Sequence, residues 1–180
     1  MFNKCSVRIM GSVLAFLSSA GALIPAPANA QEKDGAGLVA SGKASAKDVG
    51  LPIYPGSKPH KDNEGDSQAA NLGLWGGGAG FNLAVLKMET GDSPEKVAAF
   101  YRKALSKYGT VLDCSKSTAG ATTPDKDDLS KKLTCGDDKP EKGGMLYKSG
   151  TKEKQHIVGI QPNGQGSLYQ LVHVGSWGNK

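Results

Sequence analysis

Two histidines near the end of the chain, His156 and His173, are the residues whose type and spacing come closest to forming a site. They lie on two predicted strands that flank the last turn. One register pairs Pro162 with Ser167 across a four-residue loop. In that register His156 faces His173, and two adjacent imidazoles can share a zinc or copper ion. A two-residue Asn-Gly loop instead places His156 opposite Leu171. We favour the first register because it pairs apolar residues with apolar residues.

Two histidines without a third protein ligand are too few for a typical metal site, so we predict no bound metal and no cofactor. A hydrolase could use either ring as its general base, but the Gly-x-Ser-x-Gly turn that presents a nucleophile is absent from the sequence. The third histidine, His60, stands beside a proline and is predicted to be exposed in a loop. We therefore assign no catalytic residue, and we keep His156 and His173 as possible ligand contacts or ordinary edge residues.

Other patterns that could bind phosphate, a dinucleotide or calcium are incomplete. The run 37–43 approaches a phosphate-binding loop, but Ala44 stands where a Ser or Thr would hold magnesium. The glycine-rich run 76–80 joins two predicted strands and opens no helix, unlike a dinucleotide-binding turn. The acidic loops 62–66 and 125–128 lack the spacing of a calcium loop. The sequence thus offers no motif for these ligands.

Three aromatic residues, Tyr54, Trp75 and Trp177, are candidates for gripping a sugar or a peptide. Aromatic rings combine a flat apolar body with a polar atom, which suits them to such contacts. In the alternative interpretation, Trp75 packs in the core and Trp177 covers its edge. Together with His156 and His173, these aromatic residues form the set of possible ligand-binding positions.

The first thirty residues have the pattern of a secretory signal peptide. Lys4 and Arg8 form a basic start, an apolar stretch too short to span a membrane follows, and the segment ends in an Ala-x-Ala cleavage pattern. We predict a signal peptide over 1–30, a flexible leader over 31–48 and a single domain over 49–177. The mature protein is therefore expected in the periplasm or outside the cell, with no membrane span.

The charge of the mature chain narrows the range of expected partners, and its cysteines predict a covalent link. Removing Lys4 and Arg8 lowers the formal net charge from +5 to +3, and the remaining lysines are interspersed with acids, so we expect no nucleic-acid binding. Cys5 leaves with the signal peptide. Cys114 and Cys135 remain, and an even count in an oxidising compartment predicts a disulfide between them.

The hydrophobic periodicity predicts one helix among several strands. Ser93 suits the N-cap of a helix over 94–108, where its hydroxyl can accept a backbone hydrogen bond, and Gly109 suits its end. Phe100 and Tyr101 belong to the apolar stripe of that helix. Strands are predicted at 70–75, 81–89, 110–114, 129–135, 145–148, 156–161 and 168–174. This implies an α+β fold: a mainly antiparallel sheet of six to seven strands with one principal helix packed on one face.

Three segments carry a resemblance to known proteins. They are Leu-Pro-Ile-Tyr-Pro-Gly at 51–56, Thr-Gly-Asp-Ser-Pro at 90–94 and Val-Ala-Ala-Phe-Tyr at 97–101. The chain resembles small exported bacterial proteins of unassigned function that open with a Tyr-Pro-Gly turn and carry a Phe-Tyr helix after an Asp-Ser-Pro cap. The resemblance implies a fold and a compartment, and it implies no catalytic residues.

The absence of a catalytic motif favours a non-enzymatic domain, secreted or periplasmic, that binds an envelope component or a small ligand. A first alternative is a small hydrolase or transferase that acts on cell-envelope polymers and uses His156 or His173. A second alternative is a carrier that holds an apolar ligand between helix and sheet.

Overall fold

A computed structural model describes residues 35–115 and 132–178 of the chain. The chain separates into two units, 1–32 and 33–180, and every described residue belongs to the second unit. The predicted signal peptide over 1–30 lies outside the described residues.

Eight strands and one long helix make up the described part of the chain. The strands are β1 (Gly37–Ser41), β2 (Lys58–Pro59), β3 (Ala69–Gly76), β4 (Ala79–Thr90), β5 (Leu112–Asp113), β6 (Met145–Gly150), β7 (Lys154–Asn163) and β8 (Gly166–Trp177). The helices are α1 (Ala46–Val49) and α2 (Pro94–Leu105), and a 3₁₀ turn at Ser106–Tyr108 continues α2. The prediction of a mainly antiparallel sheet with one principal helix is confirmed, although the sheet has eight strands rather than six or seven.

The eight strands form one antiparallel sheet, with the order β1-β3-β4-β8-β7-β6-β5 and with β2 paired to the end of β4. The longest pairing joins β4 to β8 at the centre of the sheet. It runs over eleven residue pairs, from Gly80 opposite Trp177 to Thr90 opposite Ser167. The strand predicted over 81–89 therefore forms part of β4, which lies at the centre of the sheet.

The last hairpin, β7–β8, has the register that we favoured from the sequence. His156 lies opposite His173, so the prediction of two adjacent imidazoles is confirmed. The predicted loop length of four residues is wrong, because Asn163 also pairs with Gly166 and leaves a turn of only two residues. Gly164 begins that turn at φ 59°, a left-handed conformation that favours glycine and suits two-residue hairpins.

The structure corrects the prediction of a flexible leader over 31–48, since β1 and the first three residues of α1 lie within that segment. β1 carries few large side chains, and its backbone pairs with β3 over its whole length. At the start of α1, the backbone N–H of Ser45 donates to the carboxylate of Asp48 at 2.7 Å. Val49 at the end of α1 is fully buried. Main-chain pairing with a distant strand leaves no mark in local periodicity, which explains why this edge strand was missed.

The two strands predicted around the cysteines are also corrected. The predicted strand over 110–114 is reduced to the two residues of β5. The other prediction, over 129–135, falls partly outside the described residues, and its described part, 132–135, forms no strand. A turn follows instead, in which the N–H of Asp138 donates to the carbonyl of Cys135.

Helix α2 begins and ends differently from the prediction. Pro94 occupies the first turn as expected, but Ser93 makes no capping hydrogen bond through its side chain. The Glu95 carboxylate instead accepts hydrogen bonds from its own backbone N–H and from the Ser93 hydroxyl. These hydrogen bonds hold the pKa of Glu95 below its usual range. Gly109, at φ 124°, ends the 3₁₀ turn. No helix in the two described ranges is long and apolar enough to cross a membrane.

The two faces of the sheet differ because strand side chains alternate. We call the face that carries Ala84, Leu86 and Met88 of β4 the core face and the other face the opposite face. Side chains from α2, from α1 and from the segment 51–56, which we call the entry segment, join those of the core face in one cluster. Its buried members are Val49, Leu51, Ala69, Ala84, Leu86, Met88, Val97, Ala98, Tyr101, Ala104, Leu105, Tyr147, Val158, Ile160, Tyr169 and Leu171.

A chain of hydrogen bonds fixes the entry segment over this cluster. Tyr101 of α2 is fully buried and packs its ring against Tyr169 of β8 at 5.3 Å between centroids. The Tyr101 hydroxyl donates to the carbonyl of Pro52 at 3.1 Å, and the N–H of Tyr54 donates to the Tyr101 oxygen at 3.1 Å. Burial raises the pKa of Tyr101 far above its usual value, so its hydroxyl keeps its proton and remains a donor.

A disulfide joins Cys114 to Cys135, as the sequence predicts. Cys114 is buried, and its N–H donates to the carbonyl of Leu146 in β6. Lys148 of β6 is buried on the opposite face and pairs with the carboxylate of Asp138. A buried ammonium needs such a partner, so this pair and the disulfide together hold the segment after Cys135 against the sheet.

The disulfide makes a first prediction. It closes a loop with a sequence separation of 21, for which loop-closure entropy gives about 3 kcal/mol of stabilisation. We expect Cys114→Ser with Cys135→Ser to lower the free energy of unfolding by about 2–4 kcal/mol, measured by denaturant titration. Reduction of the native protein should give the same loss, and two free thiols in the exported, unreduced protein would contradict the prediction.

The core cluster makes a second prediction. Leu105 is fully buried, whereas Leu38 of β1 is 63% exposed. We expect Leu105→Ala to lower the free energy of unfolding by about 2–5 kcal/mol through a cavity, and Leu38→Ala to change it by less than about 0.5 kcal/mol. Equal losses of unfolding free energy in the two variants would contradict the placement of Leu105 in the core.

Candidate ligand-binding surface

A row of alternating glycine and tryptophan crosses four strands at one end of the core face. Gly37 of β1 lies opposite Trp75 of β3, and Trp75 also lies opposite Gly80 of β4. Gly80 in turn lies opposite Trp177 of β8. Residues that face each other across a sheet project from the same side, so both indoles lie on the core face. We call these four residues the tryptophan platform.

Each indole of the platform lies flat over the glycine of a neighbouring strand. A Cβ atom added to Gly37 would stand 2.2 Å from the ring of Trp75, and one added to Gly80 would stand 2.0 Å from the ring of Trp177. A side chain at either glycine would therefore collide with the ring above it. The absence of that side chain is what lets the rings rest against the backbone, and both rings lean toward β1.

Both tryptophans present one side to solvent. Trp75 is 44% exposed and Trp177 is 52% exposed, so the interpretation that Trp75 packs in the core is wrong. The two indoles start from strands that are two positions apart in the sheet, which corresponds to about 10 Å at the usual strand spacing. The result is a pair of open aromatic surfaces that start two strand positions apart.

Polar side chains stand in the rows next to the platform on the same face. Asn82 of β4 extends over Gly175 of β8, where an added Cβ would stand 2.0 Å from the Asn82 oxygen and 3.4 Å from Nε2 of His173. In the row beyond, Asn71 lies opposite Ala84, which also lies opposite His173. Among the described residues, neither Asn71 nor Asn82 makes a side-chain hydrogen bond. Their amides are available to a ligand as donors and acceptors.

His173 offers an acceptor beside these amides. Its Nδ1 lies 3.2 Å from the carbonyl oxygen of Gln155. A carbonyl can only accept, so Nδ1 carries the proton in the neutral ring and Nε2 is left as an acceptor. Nε2 and the Asn82 oxygen both lie close to the space above Gly175, and Nε2 therefore belongs to the edge of the binding surface.

His156 is placed differently, in a closed stack of rings. Its ring lies 3.6 Å from that of Tyr108 and 4.6 Å from that of His173, in stacked geometry with both. Nδ1 lies 3.1 Å from the carbonyl of Val49, to which it donates. Tyr108 is held in place by a hydrogen bond from its hydroxyl to the carbonyl of Gly50. The ring of His156 is buried and joins α1 to the sheet.

Burial lowers the pKa of His156 below its usual value, because the charged ring would lose its hydration. The carbonyl of Val49 opposes this shift, and the neighbouring His173 adds to it. The ring is therefore neutral at pH 7. Among the described residues, no group of three or more His, Cys, Asp and Glu side chains is placed to hold a metal ion.

Tyr54 differs from the other candidate residues because its hydroxyl and its ring are both engaged within the protein. Its hydroxyl donates to the carboxylate of Asp92 at 2.9 Å, and its ring packs edge-on against Phe100 at 5.1 Å. Asp92 also accepts from Lys96 at 3.0 Å. The structure thus brings Trp75, Trp177 and His173 to one surface and gives Tyr54 and His156 positions within the scaffold.

The opposite face of the same sheet end is also apolar. Leu38 of β1 lies opposite Leu74 of β3, which lies opposite Phe81 of β4, and the first two are among the exposed large apolar residues. The whole stretch from Ala69 to Leu86 contains no charged residue. Contiguous exposed apolar patches often mark surfaces that contact another protein, a membrane or a ligand, whereas single exposed apolar residues are ordinary.

Asn71 and Asn82 were missed from the sequence, although a signal for them exists. Each occupies a strand position whose neighbours two residues away, Ala69 and Ala84, point into the core. A polar residue in such a series indicates a place where the covering layer ends. The pairing of Gly80 with Trp177 leaves no comparable signal, because it joins strands about a hundred residues apart.

Comparison with protein-family models, with curated proteins and with solved structures finds no match to this chain. The resemblance to small exported proteins therefore stays a prediction.

The buried His156 makes a third prediction. Its pKa is lower in the folded than in the unfolded protein, so the unfolded state takes up protons first as the pH falls below about 6.5. We expect the free energy of unfolding to be constant above that pH and to decrease toward pH 5. In His156→Gln this decrease should be smaller, whatever the variant's absolute stability.

Denaturant titrations at pH 7.5, 6.5, 5.5 and 5.0 check this third prediction. The carboxylates whose pKa is lowered, such as Asp48 and Asp92, add their own losses only at lower pH. An unchanged pH dependence in His156→Gln would contradict the assignment.

Proposed function

We propose that this domain is a non-enzymatic binding module of the cell envelope that holds an extended glycan chain on the tryptophan platform. The observation that carries the proposal is the pair of exposed indoles that lie flat over Gly37 and Gly80. Aromatic rings that are immobilised and open on one side lose little freedom when a ligand covers them, so most of the contact energy is retained.

A sugar ring fits such a surface because one of its faces consists of C–H groups. That face can pack on an indole, while the hydroxyls around its rim remain free to form hydrogen bonds. Asn71, Asn82 and Nε2 of His173 stand beside the platform and supply both donors and acceptors for those hydroxyls. The surface therefore matches both the apolar and the polar part of a sugar.

The separation of the indoles supports an extended glycan rather than a single sugar. In a β-1,4-linked chain, successive sugars are turned over, so that the same face returns at every second sugar. The two indoles are about 10 Å apart, at two strand spacings, which is comparable to that repeat. The chain would then run across the strands, with alternate sugars over Trp177 and Trp75.

The predicted export of the protein supports the same class of ligand. The signal-peptide pattern over 1–30 and the disulfide between Cys114 and Cys135 both suit an oxidising compartment. Polymers with β-1,4-linked amino sugars are the structural glycans of the bacterial envelope. A small domain that binds them needs no cofactor.

The two alternatives from the sequence find less support. His156 is buried, and its Nδ1 is bound to a carbonyl. The adjacent Ser149 has a fully buried hydroxyl with no hydrogen-bond partner among the described residues, so a hydrolase built on these groups has no open nucleophile. A carrier for an apolar ligand would need space between helix and sheet, where Tyr101, Leu105 and Leu171 are packed with at most 1% exposure.

A lipid surface is a second candidate partner, favoured by the apolar residues of the opposite face. Leu38 and Leu74 are exposed there, and tryptophan is typical of membrane interfaces. Insertion of this sheet end into a lipid surface would use both faces. Glycan binding uses only the face that carries the platform, so variants on the two faces distinguish the candidates.

Co-sedimentation with insoluble glycans tests the proposal, using purified peptidoglycan sacculi and chitin as probes and the exported protein purified without a tag. We expect Trp75→Ala and Trp177→Ala each to weaken binding at least about tenfold, or about 1.4 kcal/mol. Leu38→Ser and Leu74→Ser, on the opposite face, should leave glycan binding unchanged.

A matched pair of glycine variants separates the position of the ring from its presence. Gly80→Ala keeps both tryptophans but displaces the ring of Trp177, and it should weaken binding as Trp177→Ala does. Gly73→Ala adds a methyl group on the same face at an ordinary 3.9 Å from Trp75, and it should bind like the wild type. Failure of the wild type to sediment with either glycan, or flotation with anionic vesicles that is lost in both the leucine and the tryptophan variants, would overturn the proposal.

A further inference from the structure

A separate pocket of about 310 Å³ opens on the opposite face of the sheet. Its floor is formed by β4, β8, β7 and β6. The turn that carries Pro140 and Glu141 forms one wall, and the segment after β2, with His60 and Asp62, forms another. A volume of this size is at the lower end of the range for small-molecule sites. The tryptophan platform lies on the other face and shares no residue with this pocket.

Gly159 at the centre of the floor makes room for the pocket. It lies opposite Gln170 of β8 on one side and Leu146 of β6 on the other. A Cβ atom added to Gly159 would meet no atom within 4 Å. The missing side chain is therefore not required by packing, and the space above it is open.

Of the four charged side chains that line the pocket, His60, Asp62 and Lys87 are already paired, and Glu141 has no ion-pair partner among the described residues. Nδ1 of His60 lies 2.7 Å from the carboxylate of Glu89, and Lys87 forms an ion pair with Asp62. His60, predicted to be an exposed loop residue, is instead half-buried and joins the segment after β2 to β4. A charged ligand would have to compete with these pairs, and an anion would also be repelled by Glu141, whereas a neutral ligand leaves the pairs intact.

The remaining polar groups are suited to hydroxyls. Gln161 and Gln170 line the pocket, and each amide supplies donors and an acceptor. In the described part of the chain, their side chains make no hydrogen bond to protein within the pocket. Leu146, Leu168 and Pro140 add an apolar wall. Amides beside an apolar wall match a compact molecule that has hydroxyls at its rim and C–H groups on its face.

We infer that this pocket binds one neutral sugar unit, either free or at the end of a chain. Gln161 and Gln170 hold its hydroxyls, the face of its ring packs on Leu146 and Leu168, and Gly159 leaves the space that it occupies. The inference is independent of the tryptophan platform, because the two surfaces lie on opposite faces of the sheet.

The experiment is a titration of the isotope-labelled protein followed by amide chemical shifts, with three probes that share one carbon skeleton: glucose, glucosamine and glucuronate. We expect saturable shifts for glucose at Gly159, Gln161 and Gln170, and at least tenfold weaker binding of the two charged probes. A linear tetrasaccharide that gives the same shifts shows that the pocket accepts a chain end, and shifts with glucose alone show that it takes the free sugar.

A matched pair of glycine variants controls the experiment. Gly159→Leu places a side chain in the pocket from a position where the added Cβ meets no atom within 4 Å, and it should abolish the shifts at Gln161 and Gln170. Gly91→Leu adds the same side chain at another open position and should bind like the wild type, as should Trp75→Ala. Absence of saturable shifts with glucose, shifts that persist in Gly159→Leu, or tighter binding of a charged probe would each overturn the inference.

Discussion

The pairing of β4 with β8 is the interaction on which the rest of this domain depends. It joins the two longest strands over eleven residue pairs at the centre of the sheet. Because side chains alternate, this one register places Leu171 and Leu86 in the core and Trp177 over Gly80. A shift by one residue would move each of these side chains of β8 to the other face. The core and the proposed glycan surface are therefore specified by the same set of backbone hydrogen bonds.

The sheet carries two kinds of surface because its covering layer contacts only part of it. The side chains of α2 enter the cluster around Tyr169 and Leu171, near the start of β8. Toward the end of β8, the core face carries His173 and then the exposed Trp177. In place of a helix, the aromatic rings themselves cover the backbone there, and glycines keep that cover close to the sheet. The same alternation that builds a core at one end thus builds a flat, open surface at the other.

The sequence predicted the features that depend on local pattern or on cysteine content. The strands around Val85, Val158 and Leu171, the helix from Pro94 and the disulfide of Cys114 all follow from periodicity, turn residues and compartment. The register that places His156 opposite His173 also followed, because the two strands are adjacent in the chain and their apolar residues match.

What the sequence did not predict depends on contacts between distant segments. The strand β1 exists because β3 offers it a backbone partner, and its own residues show little preference. The exposure of Trp75 depends on where the covering layer ends, which no local pattern records. The pairing of His60 with Glu89 joins segments about thirty residues apart and turns a predicted loop histidine into a wall of a pocket.

The position of β8 in the chain has a consequence for the order of folding. β8 is the last of the described strands in chain order, so it is synthesised after the other seven, yet it is the central partner of β4. Until it arrives, β4 has a neighbour on one side only, and the uncharged stretch from Ala69 to Leu86 has an open edge that can pair with another chain. The described sheet can close only after β8 has been synthesised, so the risk of aggregation is concentrated in the interval before β8 is available.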